Sequence, residues 1–480
     1  MLLEVVLSIC LYYMRSFYPV LSSLTRAEVA ANREVQLEAV TTLHQVCTEL
    51  VGIVKENGRA FALFTSDLLG RCKLQKVVLH SLLTGVHKLA GTGKPDAEKF
   101  YTEEILSFNE REGDCTDTEA FQGELLKLVC AIVLLEAAVV ERRGDEVGKA
   151  GAQAGAPPTL GHPAPPTLKY QPELPLCAQP MFLTAVLSAL RQSALRPLHR
   201  QWTGLVAACL PALGPALPVA LPALAAQLWT SLEQLPAGNT APVTTDYVLT
   251  LLESLGHLLS FCLLDAPAPG LVTNPAPGPA LLPAPPSVMA NLVHALGGGG
   301  AGQGRAGPGE ARQAARTALI STCPRLLASL SSLWSALSPP APAWLSGSPA
   351  SLRAATLDLL SPLATAHPNH FLAAVAVAWA GQCGGQTEAG QETKIPEGPG
   401  LVELVAGLKM FPVSLLTSTL AGVVRSPPPT TGLPPGQALH TAALQFYCSY
   451  LAQCSPAQLG ECWPQVLQFT SLHCTVMLWL

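Results

Sequence analysis

Apolar residues recur along most of this chain at steps of three and four, the spacing that gathers them on one side of an α-helix. From Asn32 to Lys55 the row is Leu37, Val40, Leu43, Cys47, Leu50 and Val54, close to a heptad seam. Such a seam can zip two copies together or form the buried stripe of one helix in a bundle. Three heptads are short for a zipper, and the bundle stripe is the expectation. Gly58 to Leu83, GRAFALFTSDLLGRCKLQKVVLHSLL, continues as helix, turn and helix. Gly58 is placed to end one helix, Phe61, Phe64, Leu68 and Leu69 make an apolar face, and Gly70 is placed to close it as a left-handed cap. From Lys73 the pattern restarts with Leu74, Val77, Val78, Leu82, Val86 and Leu89. A unit of this kind cannot bury its stripe alone. Its neighbours must do so.

The same spacing predicts helices over Phe121–Arg142, Pro180–Leu195, Asp246–Leu264, Ala311–Leu337, Ser351–Ala366, Phe371–Ala380, Leu401–Lys409, Leu415–Val424 and Ala438–Cys454. Asp246 suits a helix N-cap, and Pro180 a first helical turn. Strand patterns are almost absent, Val375–Trp379 being an ambiguous short run. The expected fold class is all-α, a HEAT-like or armadillo-like helical solenoid. Segments rich in Pro, Gly and Ala divide it, because they cannot bury enough surface to offset ordering entropy. The expected organisation is a helical segment over 1–143, a linker over 144–175 and a second helical segment over 176–265. A disordered Pro/Gly-rich insert then occupies 266–310, and a third helical segment 311–480. Solenoids need polar capping repeats, and neither end supplies one, so the chain reads as part of a longer protein.

Gln201–Leu232 carries no charged residue and would be flagged as a membrane span, the alternative reading of this protein. Against that, Pro211, Pro215, Pro218 and Pro222 recur on one face, and Leu210, Leu213, Leu217, Leu221, Leu224 and Leu228 on the next. A single leucine stripe suits packing against protein, and a soluble helix pair or kinked helix is expected. The first residues are apolar but lack a basic leader and a small-residue cleavage site, and Glu4 interrupts them.

Composition narrows the function more than it reveals it. Hydrophobic residues make up 49% of the chain and charged residues 13%, about half the charge usual in soluble proteins. The net charge of −5 supplies no field to draw nucleic acid. Fourteen cysteines fall singly with no CxxC pair, which suits buried thiols in a reducing compartment. GTGK at Gly91–Lys94 is not a phosphate loop, because Lys88 stands where the first glycine would be and Pro95 where Ser or Thr binds magnesium. The Gly297–Gly304 run follows no strand. HExxH, GxSxG and kinase signatures are missing. Cys448, Cys454, Cys462, His473 and Cys474 lack the close pairs of a zinc site, and buried thiols are expected there. His367 and His370 flank a Pro-Asn turn, where hydrogen bonding at a helix start is expected. No catalytic set, metal site or cofactor is expected. The polar feature left over is basic: Arg71, Lys73, Lys76, His80, His87 and Lys88 fall within one helix and its cap, and Lys73, Lys76, His80 and His87 share a face. It could touch an acidic partner or anionic lipid headgroups, or be an ordinary solvated face.

At these residues the chain resembles the Dopey family. The resemblance is carried by CLYYMRSFYP at Cys10–Pro19, the Gly58–Leu83 segment and QPMFLTAVLSALRQ at Gln179–Gln192. It continues through YVLTLLESLGHLLSFCLLD at Tyr247–Asp265, LLSPLATAHPNHFLAAVAVAWA at Leu359–Ala380, VELVAGLK at Val402–Lys409 and LQFYCSYL at Leu444–Leu451. Collinear order matches a portion toward the C-terminal part of that longer family. The resemblance implies a non-enzymatic, peripheral scaffold on the cytosolic face of Golgi, trans-Golgi network and endosome membranes. It further implies a large Sec7-related, Arf-exchange-factor-like partner and, for some members, a link to kinesin.

Overall fold

The computed structural model describes residues 2–14, 25–89, 118–144, 174–235, 242–264, 308–338, 342–384, 399–409, 411–425, 437–455, 459–460, 463–464 and 466–467. Nearly all of them are helical. The described chain forms two compact units, one of residues up to Leu217 and one of Pro218–Leu264 with the residues from Arg312 onward.

The first unit contains α1 (Leu2–Met14), α2 (Arg26–Arg71), α3 (Leu74–Leu89), α4 (Thr118–Gly144), α5 (Pro180–Arg191) and α6 (Arg196–Cys209). A reciprocal capping box starts α2: Glu28 N–H donates to the Thr25 hydroxyl at 3.3 Å, and Thr25 N–H donates to the Glu28 carboxylate at 2.7 Å. Val40, Leu43, Cys47, Leu50 and Val54 are buried, and α2 packs along α4. The near-heptad row is therefore the seam of an intrachain helix pair. Pro180 opens α5 at its first turn, where a missing N–H costs nothing.

The uncharged Gln201–Leu232 stretch is divided. Helix α6 stops at Cys209, two 3-10 turns follow at Leu210–Ala212 and Gly214–Ala216, and α7 (Leu217–Glu233) begins after them. Pro211 and Pro215 each sit in the first positions of a 3-10 turn. Helices of 14 and 17 residues each fall short of the ~20 that a straight span needs. All six leucines of the stripe are buried.

In the second unit α7 is followed by α8 (Thr245–Leu263), α9 (Pro308–Ala336), α10 (Pro349–Ala366), α11 (Pro368–Gly384), α12 (Pro399–Gly407), α13 (Val413–Arg425) and α14 (Gln437–Leu451). Helix α8 packs on α10, and α11 on α13 and α14. Thr244, not Asp246, is the N-cap of α8; Asp246 lies in the first turn. By length and composition α8 is the one described helix apolar enough to cross a membrane. Its Val248, Leu251, Leu252, Leu255, Leu258, Leu259 and Cys262 are buried, the stripe of a core helix. The ambiguous Val375–Trp379 run is helical, inside α11. One feature has no local pattern behind it: Val243–Thr244 pairs in parallel with Leu345–Ser346, about a hundred residues away. Gly347, at φ 131°, is needed beside this pair, since a Cβ there would lie 2.1 Å from the Thr245 hydroxyl.

Buried aromatics hold the end of this unit together. Phe371 and Phe411 stack at 5.7 Å, and Trp379 meets Phe446 edge-on at 5.8 Å. Thr417 and Tyr447 share a buried hydroxyl–hydroxyl bond of 2.6 Å, and the Tyr450 hydroxyl donates to the Phe411 carbonyl at 3.1 Å. Arginines serve the α8 C-terminus: Arg312 donates to the Leu264 carbonyl at 3.1 Å and lies over the Phe261 ring. His367 ends α10, with Nε2 2.8 Å from the Leu263 carbonyl and 3.0 Å from Arg316 Nη2. It thus serves the end of one helix and, as expected for this Pro-Asn turn, the start of the next, its carbonyl accepting from Phe371 N–H at 2.9 Å.

Candidate functional site

The basic group straddles the junction of α2 and α3. At Gly58 the α2 backbone takes φ 72°, ψ −160°, then resumes its helix to Arg71. Few residues other than glycine adopt that conformation, and no neighbour lies within 4 Å of a Cβ built there. Gly58→Ala is therefore expected to cost about 1–3 kcal/mol through backbone strain alone, read as a lower urea midpoint with unchanged slope.

Beyond the break, the inward residues are Ala62, Thr65 and Leu68, whereas Phe64 and Leu63 are exposed and Phe61 is half-buried. Of the expected face of Phe61, Phe64, Leu68 and Leu69, Leu68 is buried, Phe61 and Leu69 are half-buried and Phe64 is exposed, with the Phe61 and Phe64 rings paired at 5.8 Å. The left-handed residue is Lys73, at φ 54°, not Gly70. Helix α2 runs to Arg71, Cys72 keeps helical angles, and Lys73 N–H closes on the Gly70 carbonyl at 3.1 Å. The stripe of α3 is as expected: Leu74, Val77, Val78, Leu82 and Val86 are buried, joined by Leu79 and Leu83.

Four of the six basic side chains have a described place. Arg71 ends α2 and bridges Asp67 at 3.1 Å and Glu4 of α1 at 3.5 Å, so its charge is partly spent within the unit. Lys73 is exposed in the turn, off the face of α3. Lys76 and His80 are half-buried on α3, one turn apart, with His80 Nδ1 3.4 Å from the Thr84 hydroxyl. The side chains of His87 and Lys88 lie outside the described residues. Of the residues expected to share a face, Lys76 and His80 lie on α3 and Lys73 in the turn before it, while Arg71 belongs to α2.

Two features beside this group escaped the pattern of the sequence. On α1, Leu7, Leu11 and Met14 are buried, while Leu2, Val5, Ile9, Tyr12 and Tyr13 form an exposed row on the opposite side. The second is Glu136 on α4, the only charge between Lys127 and Glu141 in a run of apolar residues. Its carboxylate accepts from the Gln75 side-chain amide of α3 and from Leu176 N–H at 2.9 Å. Burial raises this carboxyl to about 7, against the pull of those two donors. Thiols surround it. Burial first, then the Glu136 charge, pushes Cys47 up to about 12. The Cys177 thiol rises likewise to about 12, and Cys209 is held well above the ordinary thiol range. They stay protonated and unreactive near neutral pH.

Among the described residues, no three His, Cys, Asp or Glu side chains are grouped to hold a metal ion. Of the C-terminal Cys/His group, Cys448 is exposed and Cys454 half-buried, while Cys462, His473 and Cys474 lie outside the described residues.

Paired helices with apolar seams, and polar side chains spent mainly on helix ends and junctions, define an all-α helix-packing protein. The chain belongs to the DOP1 (Dopey) family. A family model described as the DOP1 TPR domain matches residues 1–265. The Protein DOP1 homolog of Drosophila melanogaster is 33% identical over 97% of this chain and 19% of its own length. Protein DOP1B of Xenopus laevis is 26% identical over 96% of the chain and 21% of its own, and Protein DOP1B of Mus musculus 25% over 97% and 21%. This chain spans about a fifth of the length of these curated relatives. No solved structure matches it.

Proposed function

We propose that this chain is a non-enzymatic scaffold segment in vesicle-mediated protein transport between Golgi and endosomes, peripheral on the cytosolic membrane face. Membership of the DOP1 family carries this reading. Support comes from the helical packing, since stacked helices present broad faces for partners without needing a cleft. In this reading the helical segments belong to a HEAT-like solenoid; the expected linkers, 144–175 and 266–310, lie almost entirely outside the described residues. The partner is a Sec7-related, Arf-exchange-factor-like scaffold, with kinesin as a second contact.

Within this reading, Arg71, Lys73, Lys76, His80, His87 and Lys88 contribute to the partner or lipid surface, with Lys73 exposed in the turn. Affinity capture of the exchange-factor-like protein with this chain tests the proposal; failure to recover it under conditions that preserve helicity would sink it. The double substitution Lys73→Glu/Lys76→Glu should weaken capture severalfold at low salt and leave the far-UV circular dichroism unchanged. Rim charges act mainly on association rate and salt dependence. Capture insensitive to this change would leave these residues a solvated surface.

A further inference from the structure

A buried polar node fastens the segment Leu174–Gln179 that precedes α5. The Gln75 amide donates both to the Glu136 carboxylate and, at 3.3 Å, to the Leu174 carbonyl. Gln179 donates to the same carbonyl at 3.1 Å, and Leu176 N–H donates to the other Glu136 oxygen at 2.9 Å. Leu176, Cys177 and Ala178 then form a buried 3-10 turn, with the Cys177 thiol 3.3 Å from the Ala212 carbonyl. One carboxyl group thus links α4, the first turn of α3 and the segment Leu174–Gln179.

No Lys or Arg pairs with Glu136 among the described residues. The titratable groups facing it are Cys47 from α2, Cys177 from the docked turn and Cys209 from α6, all kept neutral by burial. The ionised carboxyl therefore rests on two N–H donors and no counter-charge. Here burial without a counter-charge among the described residues outweighs those two bonds, so the neutral form is favoured below about pH 7 while the segment is docked. We propose that Glu136 is a proton-operated latch: proton uptake tightens the docking of Leu174–Gln179 on α3 and α4, and proton loss loosens it.

The direction follows from linkage. With the folded-state value raised from 4.5 to about 7, the contribution is complete below pH 4.5. It is lost as the pH rises through about 7. If opening returns the carboxyl to water, the opening equilibrium of the segment should increase about tenfold between pH 6 and pH 8.

Hydrogen exchange of the 174–179 backbone in the full chain, corrected for the intrinsic pH dependence of exchange, tests the latch. The unaltered protein should lose protection about tenfold over that range, and Glu136→Gln, neutral at every pH, should show none of this loss. The Glu136 carboxyl band in isotope-edited infrared spectra gives a second readout independent of any variant, and should titrate near neutrality. Protection independent of pH in the unaltered protein, an equal loss in Glu136→Gln, or a carboxyl fully ionised at pH 6 would each overturn the proposal.

Discussion

Trp379→Ala is expected to lower the stability of the second unit by about 3–5 kcal/mol. Trp379 is 1% exposed and meets Phe446, which is fully buried, edge-on. Its indole nitrogen has no hydrogen-bond partner among the described residues, so the loss comes from packing and from the cavity left between α11 and α14. An edge-to-face pair adds about 0.5–1.5 kcal/mol beyond area alone. Trp379→Phe should recover part of the difference by refilling the space beside Phe446. A total stability near 5–15 kcal/mol makes such a loss large, and a urea titration will show it as a shifted midpoint. A shift below about 1 kcal/mol, typical of an exposed site, would place Trp379 outside the core.

Leu43→Asp is expected to be more disruptive, costing above about 4 kcal/mol and unfolding the α2–α4 pair. Leu43 is fully buried midway along the α2 seam. An aspartate there must either bury an unpaired charge or take up a proton, and both are costly in an apolar layer. This substitution separates the two meanings of the heptad-like row. A zipper between copies would lose its oligomer and its concentration dependence. An intrachain seam loses helicity and cooperativity at every concentration. Circular dichroism melts across a wide range of protein concentration distinguish them, and the second outcome is expected.

Much of this architecture was legible because burial repeats with the helical period. The rows on α2, α3 and α8 are continuous enough that each helix declares its inner face. What escaped depended on partners distant in sequence. Phe64 belongs to an apolar row by spacing, yet α2 turns its Ala62–Thr65–Leu68 face inward beyond the Gly58 break. Gly70 was the obvious left-handed cap, but the helix continues past it and Lys73 takes that conformation. The Val243–Leu345 pairing joins two-residue strands too short to show any alternation.

The candidate site was less legible than the fold. Its charges were visible as a cluster, but a one-dimensional pattern does not show that Arg71 bridges Glu4, sixty-seven positions earlier. Glu136 left a trace in the sequence, a lone carboxylate in an apolar helix. Its significance came from Gln75 and Leu176, which only folding brings to it. Prolines showed the opposite balance. Pro211 and Pro215 interrupt the uncharged stretch, because a proline without an N–H suits the start of a turn, whereas Pro218 and Pro222 of the same row lie within α7.

Alkaline carbonate extraction of Golgi- and endosome-enriched membranes, with this chain followed by immunoblot, bears most directly on the proposal of a peripheral cytosolic scaffold. The account predicts that the chain sediments with those membranes at neutral pH and is released to the supernatant by carbonate. Retention in the carbonate pellet with integral markers would contradict it.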